Sequence, residues 1–139
     1  MQRYQSRLSG PLLDRIDMHV QVDPLDGETL YDRPRAEDSA TVRVRVESAR
    51  RIQGARFEER RWRCNAELSG AAVREAASAS PSAQRMLRDA VDRLGLSGRA
   101  HDRVLKVART IADLDGGGPV DIGHVAEALA FRSPLVQPC

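Results

Sequence analysis

Residues 96–114 of the chain read LSGRAHDRVLKVARTIADL, and residues 116–119 read GGGP. Ser97 stands where a helix N-cap is expected, because its hydroxyl can accept a hydrogen bond from an amide of the first turn. Apolar residues then recur at helical spacing; they are Val104, Leu105, Ala108, Ile111 and Ala112. Three glycines and a proline cannot continue a helix. The stretch predicts a helix that ends at Leu114 and buries one face.

The residues on either side predict more helices of the same kind. Ser82 is expected to begin a helix that Gly95 ends; its apolar face would hold Met86, Leu87, Ala90, Val91 and Leu94. Asp121 is expected to cap the last helix, with Ile122, Val125, Ala126 and Leu129 turned inward. Val120 and Val125 flank that cap as a hydrophobic staple. Between 64 and 81, a short helix docked by Leu68 and Val73 and ended by Pro81 is predicted.

A further helix is predicted from Ser39, taken as its cap, to about Trp62. Its apolar stripe would consist of Val42, Val46, Ala49 and Gln53. Residues 43–63 contain eight arginines and three glutamates, a local charge of +5. Such a surface fits DNA or an acidic neighbour, but it is also what a solvated helix face looks like.

The beginning of the chain has a different pattern. Proline at position 11 suits the first turn of a short helix, and the alternation of MHVQV at 18–22 is typical of one strand. A single five-residue strand is not stable alone, so it would pair with a sheet elsewhere or pack as an extended arm. We therefore expect a mainly α protein: a helix and strand remnant at 1–23, a linker at 24–38, a helical bundle at 39–132 and a tail at 133–139.

The composition is that of a globular domain of 139 residues, with 41% hydrophobic and 4% aromatic residues and a net charge of +2. No apolar stretch approaches the roughly 20 residues needed to span a bilayer, so no membrane contact is expected. The chain has two cysteines, Cys64 and Cys139. So few cysteines favour a reducing, cytoplasmic location.

Several catalytic and metal-binding motifs are missing from the sequence. A phosphate-binding P-loop needs a glycine-rich turn that ends in Gly-Lys-Ser/Thr, and the only lysine, Lys106, is in mid-helix with no glycine beside it. No apolar run ends in Asp-Glu to hold Mg²⁺. His19, His101 and His124 lack the spacing of zinc ligands. The chain is expected neither to hydrolyse a nucleotide on its own nor to bind a metal ion.

Two arginines are candidates for a phosphate contact. Arg15 lies in PLLDRID at 11–17, where Asp14 and Asp17 are placed to orient it. Arg99 lies in the first turn of the helix after Ser97, and a helix start already favours anions through its free N–H groups. An arginine there adds a planar fork for phosphate oxygens. Ordinary surface ion pairs use the same residue types.

Two segments resemble the Mg-chelatase-like, ComM-type family of AAA+ ATPases. SGPLLDRID at 9–17 is similar to the motif at the end of the family's ATPase core, and residues 96–114 resemble its lid signature. NAEL at 65–68 and EAL at 127–129, with Arg132, also fit in the expected order. His101 stands where the family usually has tyrosine, and Ile16 where phenylalanine is frequent. Both replacements are conservative for packing.

The resemblance implies that the chain is the C-terminal lid fragment of such an ATPase, with the nucleotide-binding core outside it. ATP and Mg²⁺ would bind between neighbouring subunits of a ring, typically a hexamer, and neither is expected on this fragment alone. Arg15 would be the arginine finger that reaches the next subunit's nucleotide. Arg99 would be the sensor-2 arginine that contacts nucleotide from the lid of its own subunit, and Arg7 is a second interface candidate.

The parent protein would, by the same resemblance, be a DNA-translocating or branch-migrating motor. A free-standing DNA-binding module is the alternative, with helices 97–114 and 121–131 as a helix-turn-helix. The segment from Asp115 to Val120 is long for the usual turn of three or four residues. A purely structural assembly piece is a third possibility.

Overall fold

The helix predicted from residues 96–114 is the central element of the computed structural model, which describes residues 14–22, 24, 27 and 36–132. Residues 36–132 form five α-helices and one short 3-10 helix. These are α1 (Ser39–Arg56), the 3-10 helix (Asn65–Glu67), α2 (Ala71–Ala77), α3 (Pro81–Leu94), α4 (Gly98–Leu114) and α5 (Ile122–Ala130). Helix α4 packs against α1, the 3-10 helix, α2 and α5, and α3 packs on α5. The predicted helical bundle is confirmed.

Helix α4 begins and ends where its sequence predicts. The Ser97 hydroxyl accepts a hydrogen bond from the Ala100 amide at 3.1 Å. All five apolar residues of the predicted face are buried; they are Val104, Leu105, Ala108, Ile111 and Ala112. Burying a side chain as large as valine or leucine stabilises the fold by roughly 1.5–3 kcal/mol relative to leaving it exposed. The amphipathic pattern of one helix therefore organises the core.

The three glycines after α4 have backbone angles that side chains rarely adopt, with φ of +99°, +95° and +88°. The Gly117 amide donates to the Ala112 carbonyl at 2.8 Å, which closes the end of α4. The chain then places Val120 beside the end of α2, where the Val120 amide donates to the Ala77 carbonyl at 3.3 Å. The predicted break is confirmed, and it also connects α4 to α2.

Helix α5 is capped by Asp121, as predicted. Its carboxylate accepts hydrogen bonds from the amides of Gly123 and His124, at 2.9 and 3.2 Å. Val120 and Val125 are fully buried, as the predicted staple requires. The prediction that Ile122 and Ala126 face inward is wrong: Ile122 is 50% exposed, and Ala126 is exposed as well. Only one side of this nine-residue helix meets α3 and α4.

Two predicted helix starts are each displaced. Asp38, not Ser39, caps α1 and accepts from the Thr41 amide at 2.7 Å. Ser80, not Ser82, caps α3, and Pro81 begins that helix instead of ending the one before it. Proline is tolerated there because the first helical N–H has no partner within the helix. Ser82 instead shares a hydrogen bond with the Ser80 hydroxyl at 3.0 Å.

Helix α1 differs from its prediction in length and in burial. It ends at Arg56 rather than at Trp62, because the chain turns to bury Phe57, whose ring meets that of Trp62 edge-on at 6.2 Å. Ala49 and Gln53 are buried, but Val42 and Val46 are 38% and 46% exposed. Within the described part of the chain, nothing covers the first half of α1.

The predicted strand at 18–22 is absent, and no β-strand occurs in the described residues. The alternative of an extended arm on the bundle describes this segment better. The start of the short helix expected around Pro11, most of the linker and the tail at 133–139 lie outside the described residues, and residues 14–17 are not helical. None of the helices that are described is long and apolar enough to cross a membrane.

A buried carboxylate connects four parts of the fold. Asp113, near the end of α4, has a fully buried side chain. Arg56 of α1 binds it through both terminal nitrogens, one at 2.9 Å. The side-chain amide of Asn65 donates to it at 2.8 Å, and a terminal nitrogen of Arg109 lies 3.0 Å away. Arg109 in turn donates to the carbonyls of Ala77 and Gly118.

This network could not be predicted from the sequence, because an aspartate at a helix end, as Asp113 is, is ordinarily solvated. Burial is the strongest influence on its pKa and raises it. The hydrogen bonds from Arg56 and Asn65 and the charges of Arg56 and Arg109 together outweigh burial, so the pKa of Asp113 lies below its ordinary value. A pKa lowered by folding means that the charged carboxylate stabilises the folded state above the pKa of an unfolded aspartate, about 3.9.

Asp113→Asn should therefore destabilise the protein by about 3–5 kcal/mol at pH 7, because the buried Arg109 and the partly buried Arg56 lose their counter-charge. The cost should shrink as the pH falls below about 4, because Asp113 of the unfolded wild-type chain then takes up a proton that the folded state, with its lower pKa, does not. Urea unfolding of both proteins at pH 7 and pH 3 measures this. Asp92→Asn, on the exposed side of α3, is the control and should stay within about 0.5 kcal/mol. An equal cost at both pH values would contradict the role assigned to the charge.

Candidate functional site

An arm formed by residues 14–22 is held against the start of α4. The Ser97 hydroxyl donates to the Asp14 carboxylate at 2.7 Å. Arg103, on the second turn of α4, donates through Nε to the Asp14 carbonyl at 2.9 Å and pairs through Nη1 with the Asp17 carboxylate. One helix start therefore binds both acids of the DRID sequence.

The end of α5 holds the other side of the arm. Arg132, whose side chain is only 5% exposed, donates to the Ile16 carbonyl at 2.5 Å and lies 3.6 Å from the Asp14 carboxylate. The His19 amide donates to the Phe131 carbonyl at 2.8 Å. The arm is thus fixed at four successive points between the two helices, although it has no regular secondary structure of its own.

These contacts overturn the expectation that Asp14 and Asp17 orient Arg15. Both carboxylates instead face the bundle, where Ser97, Arg103 and Arg132 provide hydrogen bonds or ionic contacts. A helix start with two arginines nearby is a stronger partner for a carboxylate than one solvated neighbour in sequence. Arg15 is exposed, and its side chain has no partner among the described residues.

Arg99 is the second residue of α4, as predicted. It is exposed and has no partner within the described part of the chain. The first-turn N–H groups of α4 give this end a partial positive charge. Asp14 neutralises part of that charge through its hydrogen bond with Ser97. The exposed guanidinium groups of Arg15 and Arg99 are therefore the main remaining cations near the start of α4.

The structure brings the two predicted site residues to one corner of the molecule. Arg15 follows Asp14 directly, and Arg99 is two positions after Ser97, so the hydrogen bond between Asp14 and Ser97 brings the backbones of the two arginines near each other. We call this the arginine corner: the arm residues 14–17 together with residues 97–103. Arg7, the additional interface candidate, lies outside the described residues.

Sequence reasoning missed the residues that build the corner. Arg103 carries no motif signal beyond its position one helical turn after Arg99 on the same face. Arg132 was noticed only as part of the family pattern. Without the fold, the sequence does not reveal that Arg103 and Arg132 bind a segment about a hundred residues away in the chain.

The acidic residues and the histidine of the arginine corner do not form a cluster that could hold a metal ion. Among residues 14–22, 24, 27 and 36–132, no group of three or more His, Cys, Asp or Glu side chains could hold an ion. His124, for example, is used in the cap of α5, where its Nδ1 accepts from the Asp121 amide at 3.0 Å. What the arginine corner can do chemically is bind negative charge through planar N–H donors.

Comparison with known proteins places the chain in a family. Residues 36–132 match the family model described as magnesium chelatase, subunit ChlI C-terminal, and residues 1–30 match that of magnesium chelatase, subunit ChlI.

The chain is 41% identical over 132 residues to the competence protein ComM of Haemophilus influenzae. It is 42% identical over 130 residues to an uncharacterized protein of Mycobacterium tuberculosis H37Rv, and 38% identical over 133 residues to the uncharacterized protein YifB of Escherichia coli. Each match covers 94% of this chain but only 25–26% of the relative, so the chain spans about a quarter of their length. By the match of its described helical domain and arm, the chain belongs to the magnesium chelatase-like family that includes ComM-type proteins.

Proposed function

We propose that this chain is the lid end of an AAA+ ATPase and that its arginine corner contributes to ATP hydrolysis at a subunit interface. The exposed, unpaired state of Arg15 and Arg99 beside a helix start is the observation that supports this best. Arg103 and Arg132 at the same corner are paired with the arm, whereas Arg15 and Arg99 are not. Two cations left without partners in the described structure are suited to an anionic ligand from outside.

The chemistry needed from this chain is limited to charge stabilisation. Hydrolysis of ATP builds negative charge on the oxygens around the γ-phosphorus, and a positioned arginine lowers that barrier. In related phosphoryl transfers an arginine finger accelerates the reaction about 10³–10⁵-fold. The sequence encodes no P-loop, so the Mg²⁺ ion and the rest of the nucleotide would be held by a core outside this chain, in a ring that is typically a hexamer.

The geometry favours one nucleotide for both arginines. The family resemblance assigns Arg15 to the neighbour's nucleotide and Arg99 to that of its own subunit. However, the arm is fixed to α4 by Asp14 and Asp17, so the backbones of Arg15 and Arg99 both lie at the arginine corner of one chain. We therefore propose that both contact the same γ-phosphate across one interface.

DNA is the substrate that we propose for the whole motor. Its support in this chain is modest: three arginines on the exposed surface of α1 have no salt bridge in the described structure, namely Arg43, Arg50 and Arg51. The free-standing helix-turn-helix module has less support. Its recognition helix would be α5, with sequence IGHVAEALA, which has no Arg, Lys, Asn or Gln to contact phosphates or base edges.

A chimera tests the site. The 139-residue chain would replace the quarter of the Haemophilus influenzae relative that it matches, and ATP turnover would be measured. Arg15→Ala and Arg99→Ala should each lower the turnover by at least tenfold, because each removes positive charge from the transition state. Arg85→Ala, an exposed arginine of α3, is the control and should retain turnover. Full turnover in both site variants would reject these roles.

Mixing the two variants tests whether the arginines share one nucleotide. If both act from one subunit on the same phosphate, every interface in a ring made of Arg15→Ala and Arg99→Ala subunits lacks one arginine, and turnover stays low. If they serve different nucleotides, an Arg15→Ala subunit that holds ATP next to an Arg99→Ala subunit has both, and turnover recovers. Recovery in the mixture would contradict the shared-phosphate proposal.

The docking of the arm is tested separately by hydrogen exchange. Arg103→Ala removes the contacts to Asp14 and Asp17, so the His19 amide should exchange at least tenfold faster in the 139-residue chain, because its bond to Phe131 opens more often. Arg99→Ala should leave that amide unchanged. NMR-detected exchange also reports the amides of α4, which should keep their protection. Unchanged exchange of His19 in Arg103→Ala would show that the arm is held by something else.

A further inference from the structure

A cavity of about 330 Å³ lies between the end of α1, helix α2 and the loop after the three glycines. This volume is within the range of small-molecule sites, about 300–1,000 Å³. Its polar wall consists of three arginines, one glutamate and one serine; they are Arg56, Arg60, Arg109, Glu75 and Ser78. The proposed ATPase role uses none of these residues.

Positive charge exceeds negative charge around this cavity. Arg56 and Arg109 share the single carboxylate of Asp113, and Arg60 pairs with Glu75 at 2.7 Å. Three cations thus face two anions in this described part of the molecule. Each arginine also carries five N–H donors and no acceptor, so the wall has many more donors than the two carboxylates and nearby carbonyls satisfy.

Arg109 shows the imbalance most clearly. Its side chain is only 3% exposed. Its Nη1 donates to two carbonyls, but its Nε and Nη2 have no hydrogen-bond acceptor among the described residues, although Nη2 is in ionic contact with Asp113. Burial lowers the pKa of Arg109 and the charge of Arg56 lowers it further, although Asp113 acts to raise it. Removed from water, such a charge attracts an anion more strongly.

The remainder of the wall is apolar and aromatic. Trp62 and Phe57 meet edge-on, and small residues of α2, together with Pro119, complete the surface. Such a wall packs against a flat organic ring rather than against a bare ion. A phosphate group has three strong acceptor oxygens and nearly two negative charges, which matches several arginine forks and a hydroxyl better than a single carboxylate does.

We propose that this cavity binds a small molecule that carries a phosphate group on a flat organic ring. The phosphate would lie toward Arg60 and the Arg56–Arg109 pair, and the ring would lie against Trp62. The site is distinct from the arginine corner, because Arg109 is ten residues after Arg99 on α4, about 15 Å along the helix axis. The ligand would stabilise the end of α1 and α2 without contacting the nucleotide.

Phenyl phosphate is the probe, with phenol and inorganic phosphate for comparison at constant ionic strength. Trp62 is the only tryptophan, so its indole N–H gives a single reporter signal in the ¹H–¹⁵N spectrum of the 139-residue chain. We expect a saturable shift with phenyl phosphate, at least tenfold weaker binding of inorganic phosphate, and no saturable shift with phenol. No saturable shift with phenyl phosphate would overturn the site, and equal affinity for both phosphates would overturn the role of the ring.

Three matched variants test the charges. Arg60→Gln should weaken phenyl phosphate binding at least tenfold. Glu75→Gln should strengthen it severalfold, because it removes the one acid of the described wall and releases Arg60. Arg63→Gln carries the same charge change outside the cavity wall and should have no effect. All three side chains are exposed, so the fold should survive, which thermal unfolding checks. Equal weakening by Arg60→Gln and Arg63→Gln would mean non-specific attraction and would overturn the proposal.

Discussion

The fold depends on one buried carboxylate more than on any single apolar contact. Asp113 is out of reach of water, and a carboxylate in that position is tolerated only when its charge is matched and its lone pairs are used. Arg56, Arg109 and Asn65 meet that requirement. Arg56 belongs to α1 and Asn65 to the 3-10 helix, whereas Arg109 belongs to α4 and reaches α2 and the glycine loop. The ends of α1, α2 and α4, the 3-10 helix and the glycine loop are therefore fixed relative to one another by the need to satisfy one acid.

This arrangement gives α4 two different ends. Near its end the side chain of Asp113 is buried and is the centre of the network that keeps the bundle together. Its start is open: Ser97 and Arg103 are bound to the arm, and Arg99 is exposed. A helix anchored firmly at one end can present charge at the other without losing its position, which is what contact with an external anion requires.

Much of this could be predicted from the sequence, and the failures have physical causes. The cap at Ser97, the apolar face of α4, the glycine stop and the cap at Asp121 are local, so spacing alone identified them. Asp113 could not be recognised, because whether an acid at a helix end is buried depends on residues 48 and 57 positions away. The inward face assigned to Val42 and Val46 was wrong because periodicity does not reveal whether a neighbour is present. The resemblance to the family assigned roles to Arg15 and Arg99, but only the fold shows that they lie near each other.

The contacts of the arm also have a consequence for the order of folding. The bonds from Asp14 to Ser97 and from Ile16 to Arg132 join residues 83 and 116 positions apart, whereas the helices form from neighbours in sequence. Closing such long loops is slow, and its entropic cost comes before the contacts are gained. We therefore expect the arm to dock after the helices have assembled, and a unit held by a few polar contacts at the surface to open at a lower free energy than the core. Arg15 and Arg99 can thus separate through a partial opening of the molecule while its helices remain folded.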